Sequence, residues 1–161
     1  MLNPDASATG SHFPLRRALL AAMLAAPLSS LAQSATKVEV WKTPECGCCK
    51  DWVKHLQSNG FQVLTHDVGD TSKVRQKLSM PDQFGSCHSG SVGGYALEGH
   101  VPAKEIRRLL HERPAAIGLS VPSMPLGAPG MDGPEYQGRS FPYEVLLVAK
   151  NGKASVYQSY K

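Results

Sequence analysis

Cys46-Gly47-Cys48-Cys49 places three of the chain's four cysteines within four residues, and no other stretch narrows the possible folds and functions so far. Thiols crowded into one turn are poor staples for distant segments, so a disulfide scaffold fits them badly. Cys46 and Cys49 have the C-x-x-C spacing of a dithiol redox site, yet Cys48 adds a third sulfur for which a simple dithiol has no use. The extra thiol is the feature to be explained.

Thiol chemistry depends on compartment, and the N-terminus reads as an export signal. Arg16 and Arg17 precede the apolar run Ala18 to Leu28, and Ser30-Leu31-Ala32 supplies small residues where a signal peptidase reads. Cleavage is expected after Ala32, leaving one domain over residues 33–161. The apolar run is shorter than the roughly 20 residues that span a bilayer, and Pro27 interrupts it, so no stable membrane anchor is expected after cleavage. A twin-arginine reading is poorly matched by the flanking Pro14-Leu15 and Ala18. The remaining length suits one compact domain rather than two. With 17 Lys and Arg against 13 Asp and Glu, the net charge is +4. These basic residues are scattered rather than striped, which argues against nucleic acid as a partner.

In chain order, Lys37-Val38-Glu39-Val40-Trp41 alternates as a strand does, and Thr43-Pro44 ends it. From Cys48 the apolar positions Trp52, Val53 and Leu56 recur at helical spacing until Asn59-Gly60. Cys46 therefore falls at a strand-to-helix turn, where free amide hydrogens and about half a positive charge favour thiolate over thiol. Phe61 to His66 reads as a second strand and Asp70 to Ser79 as a short helix capped by Asp70 or Thr71, which implies a parallel strand-helix-strand unit. Gln83 to Gly90 reads as a loop, Ser91 to Glu98 as a strand broken at Gly93-Gly94, and Pro102 to Glu112 as a helix. The stretch from Gly118 to Met131, rich in proline and glycine, reads as an ordered loop. Two apolar runs around Asn151-Gly152 then give a terminal antiparallel hairpin. Phe141-Pro142, with Val101-Pro102 as a weaker rival, matches the proline, often cis, that precedes the third core strand of thioredoxin folds. The fold class expected is α/β and thioredoxin-like: a central mixed sheet flanked by helices, with the Pro/Gly/Met-rich loop inserted before the C-terminal hairpin.

Beyond the first cluster, Cys87-His88 pairs a soft sulfur with an imidazole, a set suited to copper or zinc. The alternatives for Cys87 are a small buried residue or a disulfide partner. His100 stands at a strand-to-helix turn, where it serves either a site or a structural hydrogen bond. Met124 and Met131 lie on the stiffened loop and off any periodic apolar face; as thioethers they suit Cu(I), and as ordinary methionines they fill gaps. His55 and His66 read as surface or edge histidines, and His111 as a partner of its helix's C-terminal dipole.

Cys46-Gly47-Cys48-Cys49, Cys87-His88, Gly93-Gly94-Tyr95, Glu98 to Pro102 and Val121 to Pro125 through Gly130-Met131, taken in that order, resemble the CopG-like family of exported copper-resistance proteins. The resemblance spans essentially the whole of residues 33–161. It implies a thioredoxin-like fold that binds copper through clustered cysteine sulfurs, with histidine or methionine nearby. It also implies periplasmic copper handling, with copper ions and other periplasmic copper-handling proteins as partners. A Cu(I)/Cu(II) redox role is a further implication. The metal set expected is Cys46, Cys48, Cys49, Cys87, His88, His100, Met124 and Met131, holding more than one Cu(I). Four neighbouring thiolates would repel one another without cations between them. The metal-free protein is accordingly expected to form a Cys46–Cys49 disulfide.

The competing reading is a thiol-disulfide oxidoreductase with Cys46 as nucleophile and Cys49 as resolving thiol. It leaves Cys48, Cys87 and the methionine loop without a task. Glu45, next to Cys46, also opposes thiolate formation there. A zinc-stabilised structural module fits the cysteines and histidines but not the methionines.

Overall fold

Alternation in the first strand decides how the domain is layered. In β1 (Lys37–Lys42) Val38 and Val40 point inward and are fully buried. They face α1 (Gly47–Ser58), whose inner stripe is Cys49, Trp52, Val53 and Leu56. In this computed structural model, which describes residues 35–161, the chain continues through β2 (Gln62–Asp67), α2 (Ser72–Lys77), β3 (His88–Val92), β4 (Tyr95–Glu98), α3 (Ala103–Glu112), β5 (Ala116–Ser120), β6 (Tyr143–Ala149) and β7 (Ala154–Tyr160). The signal peptide expected over residues 1–32 lies outside the described residues.

The strands form one mixed seven-stranded sheet in the order β2-β1-β3-β4-β5-β6-β7. β1 and β2 are parallel across α1, as the strand-helix-strand pattern requires, and β6 and β7 form the terminal antiparallel hairpin. On one face Trp52, Leu56, Ile106 and Leu109, from α1 and α3, pack against Val38, Val40, Leu97, Leu119 and Val145. On the other, Met80 and Phe84 cover Ala96 and Val148. Trp52 is fully buried and its indole N–H donates to the Val101 carbonyl at 2.8 Å, so the largest side chain of the core leaves no polar atom unpaired. Among the described residues no helix is long and apolar enough to cross a membrane.

Three expectations are corrected. The strand read as broken at Gly93-Gly94 is two strands, β3 and β4, paired antiparallel. Both glycines have positive φ, +54° and +88°, the requirement of a tight two-residue hairpin turn. The proline- and glycine-rich stretch from Gly118 is not loop throughout, because Ala116–Ser120 forms β5, a central strand parallel to β4 and antiparallel to β6. A Cβ on Gly118 would fall 1.8 Å from the Ala96 carbonyl oxygen, so glycine here allows close strand approach rather than a turn. Finally, no peptide bond among the described residues is cis, so Pro142 and Pro102 both follow trans bonds.

Register then fixes where chemistry can assemble. β3 runs antiparallel to β1 with His88 opposite Lys42, so Cys87 enters the sheet beside the end of β1 that leads to Cys46. β4 pairs Glu98 with Ser89, which brings the Glu98-Gly99-His100 turn to the same end. Three separate segments thus meet at one end of the sheet.

Candidate metal centre

Cys46 is the N-cap of α1 in an extended conformation, and no side chain caps the helix. No acidic residue lies in the first turn, so its amides and positive dipole end are left to the sulfurs. Cys46 and Cys49 are joined in a disulfide with their Cα atoms 5.3 Å apart, and Cys48 and Cys87 are free thiols. Cys48 Sγ lies 3.6 Å from Cys46 Sγ and 3.9 Å from Cys87 Sγ, and Cys87 Sγ lies 3.5 Å from Cys49 Sγ. The helical turn alone would have sent Cys48 away from its neighbours. The N-cap geometry at Cys46 and the approach of Cys87 from β3 gather all four sulfurs.

Two imidazoles adjoin them. Cys87 Sγ is 3.3 Å from His88 Nδ1 and 3.4 Å from His100 Nε2. His100 Nδ1 donates to the Pro129 carbonyl at 2.8 Å, which leaves Nε2 with its lone pair facing Cys87. His88 is fully buried, its ring 4.3 Å from that of Trp52 and 5.0 Å from that of His100, and its Nε2 has no hydrogen-bond partner. Burial, with His100 beside it, pushes the His88 pKa down to about 3, and burial lowers that of His100, so both rings are neutral. Burial, reinforced by Cys48, pushes the Cys87 thiol up to about 12. A soft cation among these groups reverses that penalty, because it stabilises the thiolate directly. Two groups with donor atoms within 4.8 Å of one another result: Cys46, Cys48, Cys49 and Cys87, and Cys87, His88 and His100. Cys87 belongs to both.

The loop after β5 closes over this end of the fold. Gly130 (φ +82°) lies against the first turn of α1, where a Cβ would fall 2.6 Å from the Trp52 amide nitrogen and 2.7 Å from the Cys48 carbonyl oxygen. Met131, next to it, is 8% exposed, and its sulfur accepts a hydrogen bond from the Tyr136 hydroxyl at 3.5 Å. Met124 is 51% exposed, and its neighbour Ser123 is tied to Gly85 and Ser86. The structure therefore assembles the four cysteines with His88 and His100, places Met131 on the covering loop with its sulfur already engaged, and leaves Met124 facing solvent. His66 stacks on Trp41 at the sheet edge. His55 is more than a surface residue, since its Nε2 accepts the Ala103 amide at the start of α3, 3.1 Å away. Pro129 and Tyr136 carry no motif signal. One acts through a backbone carbonyl, and the other is a single aromatic ending the short 3-10 turn Pro134–Tyr136.

Comparison with known proteins adds three findings. The family described as "Protein of unknown function, DUF411" matches residues 84–131, which hold Cys87, His88, His100 and the covering loop. The solved structure "Copper resistance protein copG- Form 2" is 42% identical, with a TM-score of 0.73, over 79% of this chain and 99% of that one. "Copper resistance protein copG- Form 1" is 43% identical, with a TM-score of 0.72, over 78% of this chain and 98% of the other. No curated protein matches.

Proposed function

The chain belongs to the DUF411 family and is a homologue of the copper resistance protein CopG, and from that premise we propose that it binds Cu(I) as cargo. The observation that carries this reading is the convergence of three other sulfurs and two neutral imidazoles on Cys87. Thiolate and imidazole donors suit Cu(I), and a sulfur shared by two donor groups is the natural bridge between ions. Cys46, Cys48, Cys49 and Cys87 hold the metal with His88 and His100, and more than one Cu(I) accommodates six donors in two overlapping groups. Met131 and Met124 stand at the covering loop, where they serve entry or exit rather than the centre. The N-terminal 32 residues direct export, and the protein works on periplasmic copper.

The Cys46–Cys49 pair extends this to redox interconversion. Reduced, the two thiols can pass one electron to each of two Cu(II) ions, giving two Cu(I), a disulfide and two protons. The parallel unit around α1, the terminal hairpin and C-x-x-C at the helix start also support a thioredoxin-like classification. A thiol-disulfide oxidoreductase is the second reading, favoured by the disulfide at the N-terminus of α1, with Cys46 the more exposed and Cys49 fully buried. It gives no role to Cys48, Cys87 or the oriented His100. Metal analysis of protein purified from copper-grown cells, paired with an insulin-reduction assay, separates the two. Copper retained by the protein with insulin left unreduced supports cargo binding; rapid insulin reduction without retained copper overturns it.

A further inference from the structure

Glu98, fully buried at the end of β4, is the hub of a polar network behind the metal centre. Its Oε1 accepts from Arg75 Nε at 3.0 Å and from the Ser86 amide at 2.8 Å, and its Oε2 accepts from the Ser89 hydroxyl at 2.7 Å. Arg75, 8% exposed, also donates to the Ser86 carbonyl at 3.1 Å and lies 3.4 Å from Asp82 Oδ1. Ser86 is therefore held at both its amide and its carbonyl, and the next residue is Cys87. Packing here is close: a Cβ on Gly85 would fall 2.8 Å from the Arg75 guanidinium carbon. On the other side of Glu98, the Gly99 amide donates to the His88 carbonyl at 3.0 Å, and His100 follows.

Stability is a weak explanation for such a pair. Removing both charges from water offsets most of their attraction, and apolar replacements of similar volume are often neutral or stabilising. Geometry is a better one. The loop from Gly85 to Cys87 has no ladder of its own before β3 begins, and the network supplies fixed donors and acceptors in its place.

We propose that Arg75 and Glu98 are positioning residues for the metal centre. They lock the Ser86–Cys87 peptide so that one sulfur meets both Cys48 and Cys49 on one side and both imidazoles on the other. The purpose of this lock rests on the copper reading above, but its effect on Cys87 is measurable without copper.

The test compares fully reduced wild type with Glu98→Gln and with the double variant Arg75→Met/Glu98→Leu. Peptide-level mass spectrometry reads the alkylation rate of Cys87 relative to Cys48, melting reads the fold, and competition with a chromophoric chelator reads Cu(I) affinity. The double variant is expected to melt close to wild type, yet to alkylate Cys87 about tenfold faster relative to Cys48. Its Cu(I) affinity should fall about 10- to 100-fold, as for other supports of ligating side chains. A folded double variant with the wild-type alkylation ratio overturns the proposal. Should the double variant not fold, Glu98→Gln decides by the same ratio. Wild type that binds no Cu(I) would sink the copper reading, while the alkylation ratio would still decide whether the lock exists.

Discussion

Cys87 Sγ lies 3.4 Å from His100 Nε2, the nitrogen left with a lone pair once Nδ1 of that ring has donated to the Pro129 carbonyl. A backbone carbonyl in the covering loop thus aims an imidazole at the sulfur that also faces Cys48 and Cys49. The donor set is organised around one atom.

Removing that atom should therefore cost more than removing any other single donor. Cys87→Ser is expected to lower the number of Cu(I) ions bound per chain, because a hydroxyl is a poor ligand for a soft ion. His100→Ala should retain part of the capacity, with affinity about 10- to 100-fold weaker. Stoichiometric Cu(I) titration under anaerobic conditions reads both. Unchanged ion counts in Cys87→Ser would remove Cys87 from the site.

Cys48 separates metal binding from dithiol chemistry, because it is outside the Cys46–Cys49 disulfide and only 3.6 Å from Cys46 Sγ. Cys48→Ser should still form that disulfide, as mapped by mass spectrometry, and should lose at least about tenfold in Cu(I) affinity. Normal affinity in this variant would mean that the third thiol has no part in the centre.

Gly130 is where the covering loop touches the metal end of α1. Gly130→Ala must both tolerate φ +82° and push aside the backbone of Trp52 and Cys48. The left-handed conformation alone costs about 1–2 kcal/mol. Lower thermal stability and weaker Cu(I) binding are expected together, whereas a stability loss with intact binding would show that the loop is only packing.

His55 gives the pH dependence its sign at a place away from the sulfurs. Burial lowers its pKa from 6.5, and its Nε2 must stay unprotonated to accept the Ala103 amide. A group with a depressed native pKa contributes stability above its unfolded value and loses it as pH falls. Wild type should thus lose stability below about pH 6.5 more steeply than His55→Ala, by at most about 1.4 kcal/mol per pH unit. His88 and His100 contribute to both curves, so the difference between them isolates His55. Parallel curves in denaturant melts across pH 4–7 would contradict the assignment.

Residue chemistry made the centre legible in the sequence, while local patterning made only part of the fold so. Cys46, Cys48, Cys49, Cys87, His88 and His100 are soft or borderline donors, and their types point to a metal before any geometry is known. α1 and the terminal hairpin follow from Trp52-Val53-Leu56 spacing and from Asn151-Gly152. β5 was hidden because Ala116–Ser120 is short, contains Gly118 and follows Pro114, so its signal resembles the loop after it. The Arg75–Glu98 lock was invisible for a different reason. Its members are separated by a strand and a loop, and only the β3–β4 register brings Glu98 to Ser86 and Ser89. Residue type says least about the methionines, which suit both a soft ion and a packing gap: Met131 accepts the Tyr136 hydroxyl, and Met124 is exposed.

The central claim is a Cu(I) centre built on sulfur with imidazole support. Copper K-edge X-ray absorption of the reduced protein, loaded anaerobically with Cu(I) and desalted, tests it most directly. The expected result is more than one retained Cu(I) per chain in a sulfur-dominated shell with a nitrogen contribution, the latter lost in His88→Ala/His100→Ala. Copper removed by desalting, or a shell of oxygen and nitrogen alone, would contradict it.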